Sequence, residues 1–401
     1  MSKDRKNLWG MIIPIAVAVL VVVAFAVSGH VTKTLDEDDP TATTTETTTV
    51  QETETITASK VTIVAVGDNL IHNTLIDSGD DGSGELDYTA LYTQISPEIQ
   101  AADIAIINQE TMLGGSEFDY SGYPLFNTPW EVGEAAIAAG FDIFTCATNH
   151  AMDVGYSGIE QECLFFDNHP EVVHVGTYDT EDEYDTITYY TENNITFAIL
   201  NYTYGTNGIS LPEGKSWCVA MMDEEKITED VEKAKQNADV VIVCPHWGTE
   251  NSTEVSDYQE EYVELFSELE VDIVIGTHPH VLQTVEWVEN EETGHEMLVY
   301  YSLGNFISHQ TSVNQLCGGM AKITVEKSGD DVTITSAKLT PIVCWYAKNS
   351  TTGNYDFAVY KLADYTDELA ASHAQSAKGV TPDYYTELCE SIIPDEFLDI
   401  S

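Results

Sequence analysis

Five short apolar runs, rich in β-branched residues, each stop at a cluster of Asp, Asn, Glu or His, and this recurrence narrows the fold more than any other feature. The runs are VTIVAV (Val61 to Val66), IAII (Ile104 to Ile107), FDIFTCA (Phe141 to Ala147), VVIVC (Val240 to Cys244) and DIVI (Asp272 to Ile275). Between them, Trp130 to Ala139, Ser157 to Asn168 and Tyr258 to Leu269 carry helical periodicity. Strands alternating with amphipathic helices imply an α/β fold with helices covering the sheet. After His280 the pattern turns to hairpins: TVEWVENEETGHEMLVYYSLGNF and AKITVEKSGDDVTITSAKL each set a Gly-containing turn between alternating strands.

The residues that end the runs are Gly67-Asp68-Asn69, Asn108-Gln109-Glu110, Asn149-His150-Ala151-Met152-Asp153, His246-Trp247-Gly248-Thr249-Glu250 and His278-Pro279-His280. Any one of these is ordinary turn chemistry. Ligands of open α/β sheets, however, bind beyond the carboxyl ends of the strands, so five clusters at one such edge point to a site. Carboxylate and amide oxygens mixed with imidazoles suit Mn²⁺, Fe or Zn²⁺. Two such ions about 3.5 to 4 Å apart can activate a hydroxide and stabilise a leaving oxygen. A carboxylate touching both is then needed, and Glu110 is the candidate. In GTHPH, Gly276 to His280, the proline biases His278 toward extended geometry, where side chains two apart point the same way and both imidazoles converge on one point. No P-loop, GxSxG elbow or dinucleotide fingerprint competes.

Composition removes other classes. Lys plus Arg number 15 against 68 Asp plus Glu, a formal charge of −53. With no basic stripe beyond the first six residues, nucleic acid is excluded as a partner. Such a field attracts cations and repels a polyanion unless bound metal reverses the sign locally. The seven cysteines form no CxxC pair, which leaves a zinc ribbon or thioredoxin motif unsupported, and Cys146 and Cys244 read as buried small hydrophobes.

Residues 1–7 include the basic Lys3, Arg5 and Lys6, and 8–27 carry no charge. Twenty apolar residues span about 30 Å of hydrocarbon, and the preceding Lys and Arg keep the N-terminus cytoplasmic. The expectation is a transmembrane signal-anchor helix over 8–27, single-pass in the cell membrane, with the main domain extracellular. A cleaved signal peptide ending at Ala24-Phe25-Ala26 is the competing reading. Residues 28–60, Thr- and Glu-rich, read as a solvated, disordered linker. The folded domain is expected over 61–346, with a polar C-terminal extension, 347–401, that carries no chemistry.

The motifs VAVGDNLIH, INQET, TNHAMDVG, PHWGTE, GTHPHVLQ and YSLGNFI, in that order, resemble the capsule-synthesis CapA or poly-γ-glutamate biosynthesis family, whose domain is similar to calcineurin-like metallophosphoesterases. The resemblance spans about Val61 to Ser308 and implies a four-layered α-β-β-α sandwich. Carried over by motif, it makes Asp68 a ligand of one metal, Glu110 the bridging carboxylate, and Asn149, His246 and His278 ligands of the second metal, with His280 returning to the first. His150 is then the proton donor to a leaving group, oriented by Asp153, while Asn108, Glu250 and Asn305 contact the metal ligands or the substrate. Metallophosphoesterases usually carry GDxH, but position 70 is Leu; the first metal is one ligand short unless His72 supplies it. The bridging Asp is replaced by Glu110, and Thr148 stands where a glycine is usual.

The function implied is capsule or poly-γ-glutamate assembly around a dinuclear site that hydrolyses or transfers a polymer-linked intermediate. Its partners would be the anionic polymer, the membrane and synthase subunits. The alternatives are a non-catalytic scaffold binding polymer or synthase, and a general extracellular phosphodiesterase.

Overall fold

The structure is a computed structural model that describes residues 58–401 apart from 81 and 83. The expected anchor over 8–27 and nearly all of the linker lie outside the described residues. Among the described residues no helix is long and apolar enough to cross a membrane.

The chain first lays down β1 (Ser59–Asn69), β2 (Ile104–Asn108), β3 (Ile143–Thr145) and β4 (Val173–Val175), parallel neighbours in one sheet. It then builds a second sheet from β5 (Thr188–Glu192), β6 (Ile195–Thr203), β7 (Val240–His246), β8 (Ile273–Ile275), β9 (Val285–Glu289) and β10 (Glu296–Tyr300), in the order β5-β6-β7-β8-β10-β9. Finally it returns to the first sheet with β11 (Asn305–Ile307), β12 (Cys317–Ser328), β13 (Asp331–Lys348) and β14 (Tyr355–Lys361). The order there is β14-β13-β12-β1-β2-β3-β4, with β11 also pairing β1. Both sheets are mixed: β6, β7, β8 and β10 run parallel between the antiparallel edges β5 and β9.

Side-chain alternation in the second sheet explains the layering. Phe197, Ile199, Val240, Ile242, Ile273, Leu298 and Tyr300 join a core shared with the first sheet, which also takes in Val132, Ala136 and Phe165 from the helices Trp130–Ala139 and Tyr156–Asp167. The alternate residues Ala198, Leu200, Val241, Val243, Val274 and Val299 form a second core with Ile227, Val231, Tyr262 and Phe266 of the helices Glu224–Ala234 and Asp257–Glu268. The expected α/β architecture, two sheets with helices on the outer faces, is the one observed. The three helices expected from periodicity lie within one residue of the observed ones.

The boundary expected at 346 does not hold, because it falls inside β13. That strand continues to Lys348, and β14 adds an edge to the same sheet. Farther on, Tyr385, Cys389 and Phe397 are buried in the first core. Alternation in Tyr355–Lys361 is interrupted by a buried run at its centre, which obscured the strand; the polar average of the tail obscured its few buried anchors.

Candidate metal centre

The parallel strands of both sheets end at one edge, and backbone crowding there sets where the ligands stand. At the end of β1, a Cβ on Gly67 would lie 1.8 Å from the Gly304 carbonyl oxygen, so only glycine lets β11 approach this closely. The Asp68 amide donates to that carbonyl at 3.0 Å, and Asp68 pairs with Asn305 in register. Gly276 plays the same part after β8, where a Cβ would stand 2.1 Å from the Tyr301 carbonyl oxygen.

The two histidines of GTHPH depart from the extended backbone expected of them. His278 has φ 98° and His280 φ 61°, conformations rare for residues with a Cβ and characteristic of functional strain. The bias that a following proline imposes is outweighed by tertiary anchoring: the His278 amide donates to Asp68 Oδ1 at 3.3 Å and the Asn251 amide to the Pro279 carbonyl at 2.8 Å. Instead of converging on one point, the imidazoles divide. His278 gathers with Glu110 and His246, and His280 with Asp68 and Glu110; in each trio one potential ligand atom per residue lies within 4.8 Å of the others. Glu110 belongs to both.

Every member is buried. Asp68 is held by the Asn108 amide at 2.9 Å and by His280 Nδ1 at 3.0 Å. His246 contacts Thr277 Oγ1 through Nδ1 at 2.9 Å and Asn149 Oδ1 through Nε2 at 2.9 Å. Glu110 Oε1 stands 3.9 Å from His246 Nε2 and 3.8 Å from His280 Nε2, yet neither Glu110 oxygen has a hydrogen-bond partner, and nor does His278 Nδ1. Burial, reinforced by Asp68 and Glu250, pushes the Glu110 carboxyl well above its usual range. Burial likewise lowers His246, and lowers His278 to about 3, which favours neutral imidazoles at both; of the two, only His278 keeps a ring nitrogen, Nδ1, without a hydrogen-bond partner. For His280, burial opposes protonation, but the Glu110 and Asp68 carboxylates outweigh it and hold the pKa up to about 9. Buried acceptors without partners, on Glu110 and His278, are what a divalent cation satisfies, so the residues fit the metals that the motifs imply.

Beside the ligands, His150 Nδ1 lies 2.7 Å from Asp153 Oδ2, which also accepts from the Phe126 amide at 2.7 Å. Asn305 contacts His280 Nδ1 through Oδ1 at 3.1 Å. Glu250 is exposed and acts on Glu110 through space. His72 joins neither trio. It is the N-cap residue of the helix Asn73–Ser78, with Nδ1 near the Leu70 carbonyl and the His309 amide, and burial lowers its pKa to about 4. Leu70 is buried, which leaves its position without a ligand atom.

Three neighbours escaped sequence reasoning. Thr277 sets the His246 ring, Asn207 reaches Asn149 at 3.3 Å and His150 at 3.4 Å, and the Tyr204 ring lies 4.6 Å from that of His278. Tyr204 and Asn207 follow β6, a sixth apolar run that ends in YGTNG and was readable by the same rule as the other five.

Residues 62–310, more than half of the chain, match the model of the bacterial capsule synthesis protein PGA_cap. The chain belongs to the PGA_cap family. Among relatives of this family, the PGA biosynthesis protein CapA of Bacillus subtilis (strain 168) is 29% identical over 190 residues, 47% of this chain and 48% of that protein. The capsule biosynthesis protein CapA of Bacillus anthracis is 28% identical over 184 residues, 45% and 43% of the two chains. The matches thus span about half the length of these relatives. Among solved structures, the calcineurin-like phosphoesterase YfkN from Bacillus subtilis is similar with a TM-score of 0.40 and 16% identity, covering 82% of this chain and 100% of that one. A putative 5'-nucleotidase from Staphylococcus aureus has a TM-score of 0.42 and 15% identity, covering 71% and 54%.

Proposed function

We propose that this PGA_cap protein is a membrane-anchored extracellular component of poly-γ-glutamate or capsule assembly, with a dinuclear divalent-metal site that hydrolyses or transfers a polymer-linked intermediate. One observation carries the site: Glu110, buried with both oxygens unpartnered, is shared by two ligand trios. Bound metals would supply Lewis acidity for displacement at a phosphoryl-type or acyl centre. Asp68, Glu110 and His280 would hold one ion, and Glu110, Asn149, His246 and His278 the other. Asp153, fixed by the Phe126 amide, orients His150 through Nδ1 and leaves Nε2 to carry a proton to the leaving group. Asn108, Thr277 and Asn305 keep the ligands in position.

The test is metal content of the full chain by mass spectrometry. Two equivalents of Mn²⁺, Fe or Zn²⁺ are expected, and none in the His278→Ala, His280→Ala double variant; unchanged content in that variant refutes the site. A scaffold role is the second reading, favoured by buried Leu70, which leaves the first trio without a further imidazole. Cells in which a Glu110→Ala, His150→Ala variant restores polymer production would decide for the scaffold.

A further inference from the structure

The C-terminal region lies outside the family match, yet it grips the segment that backs the candidate metal centre. Asn305, which contacts His280, is itself fixed from behind: its amide donates to the Gln315 carbonyl at 2.9 Å and to Gln310 Oε1 at 2.7 Å. The segment carrying those two residues is held by the tail. Lys378 Nζ donates to the Thr311 carbonyl at 2.6 Å, the Tyr384 hydroxyl to Asn314 Oδ1 at 2.6 Å, and the Tyr385 hydroxyl to the Val313 carbonyl at 3.3 Å. One helical turn beyond Tyr385, on the helix Pro382–Ile392, Cys389 places Sγ 3.6 Å from Sγ of Cys317, the first residue of β12. Both cysteines are fully buried. Among the described residues, no other two sulfurs stand in such contact.

We propose that Cys317 and Cys389 are a disulfide-forming pair that locks the C-terminal helix onto the segment behind Asn305 and His280. The sulfurs are in van der Waals contact, and a bond of about 2.05 Å needs them to close by only about 1.5 Å. The two thiols lose two protons and two electrons and form one Sγ–Sγ bond. A donor disulfide, either a small molecule or an oxidised protein dithiol, takes the electrons and becomes two thiols. Each neighbour's burial keeps the pair closed to reagents in the folded chain, so joining belongs to folding, before the helix docks. The two positions are 72 residues apart, and the bridge would restrict the unfolded chain over that whole interval. Bracing of the metal centre rests on the function proposed above; the bridge itself does not.

The experiment refolds the denatured full chain in a mixture of reduced and oxidised glutathione, then alkylates it in denaturant without reductant. Of the seven cysteines, five are expected to be alkylated, with one proteolytic pair joined through Cys317 and Cys389. The thermal midpoint should rise by about 5 °C over reduced protein. Dithiothreitol should abolish that rise, and Cys389→Ala should lack it. Seven alkylated cysteines, or a bridge between other positions, would overturn the pair. Bracing is read separately, as metal retained against a chelator. Slower loss from the bridged form is expected, and equal loss overturns it. Absence of metal from both forms would count against the proposed centre while leaving the joined peptide intact.

Discussion

At the scale of single residues, the centre holds two groups that no internal partner satisfies, the Glu110 carboxyl and His278 Nδ1. Glu110 is the extreme case, and its substitution by an isosteric amide separates metal holding from folding. Glu110→Gln should retain fewer than two equivalents of metal, yet in chelator at pH 7 it should be more stable than the parent, since burial raises the Glu110 pKa and the parent alone must take up a proton, or bury a charge, on folding. Equal metal content by mass spectrometry would contradict the bridging role. Glu162, in contrast, is buried but accepts from the Leu113 amide at 3.1 Å and the Thr177 hydroxyl at 2.8 Å. Burial raises its pKa from 4.5 to about 7 against those hydrogen bonds. Between these values the folded chain holds a proton that the unfolded chain releases, so stability falls as pH rises through this window and levels off above it. Glu162→Gln should therefore gain on the parent from pH 5 to pH 8, by on the order of 3 kcal/mol. Chemical denaturation at the two pH values reads this, and a pH-independent difference refutes it. Residue identity made the gathering of Glu110 with His246, His278 and His280 legible in sequence, because few side chain types can ligate metal. The left-handed backbone of His278 and His280 was not legible, because it is imposed by Asp68 and the 251 loop, both distant in the chain.

At the scale of elements, site geometry depends on how closely β1 and β11 approach. Gly67→Ala would drive a methyl into the Gly304 carbonyl, and with backbone on both sides no side chain can turn away. A loss of about 3 kcal/mol is expected, together with reduced metal content as Asp68 shifts. Gly205→Ala is the control, since a Cβ there meets nothing within 4 Å. Similar denaturation midpoints for the two variants would disprove the crowding argument. Strands and helices with one clear period were readable locally: the helix Trp130–Ala139 matches its expected bounds, and both late hairpins formed. The ninth to fourteenth strands' assignment to different sheets was not readable, because hairpin text looks alike wherever it docks. Neither was the C-terminal tail, whose value lies in a few contacts spread along a polar stretch.

Across the whole molecule, a formal charge of −53 sets the terms on which any polyanion can approach. If the substrate is polyglutamate, its binding should require divalent cations at the strand edge. Labelled polymer should associate in Mn²⁺ and be released by EDTA, whereas binding that survives chelation would contradict this role for metal. The order in which the chain is laid down has a consequence of its own. The second sheet is threaded between the two halves of the first, and Asp68 meets His280 across 212 residues. No early fragment can assemble either ligand trio, and loop closure over such distances delays both until most of the chain is present. Metal loading at the proposed centre would therefore be a late event in the life of each molecule. An ion bound there would be drawn from the fluid in which folding ends, so where the chain matures would select its chemistry as much as what its ligands prefer.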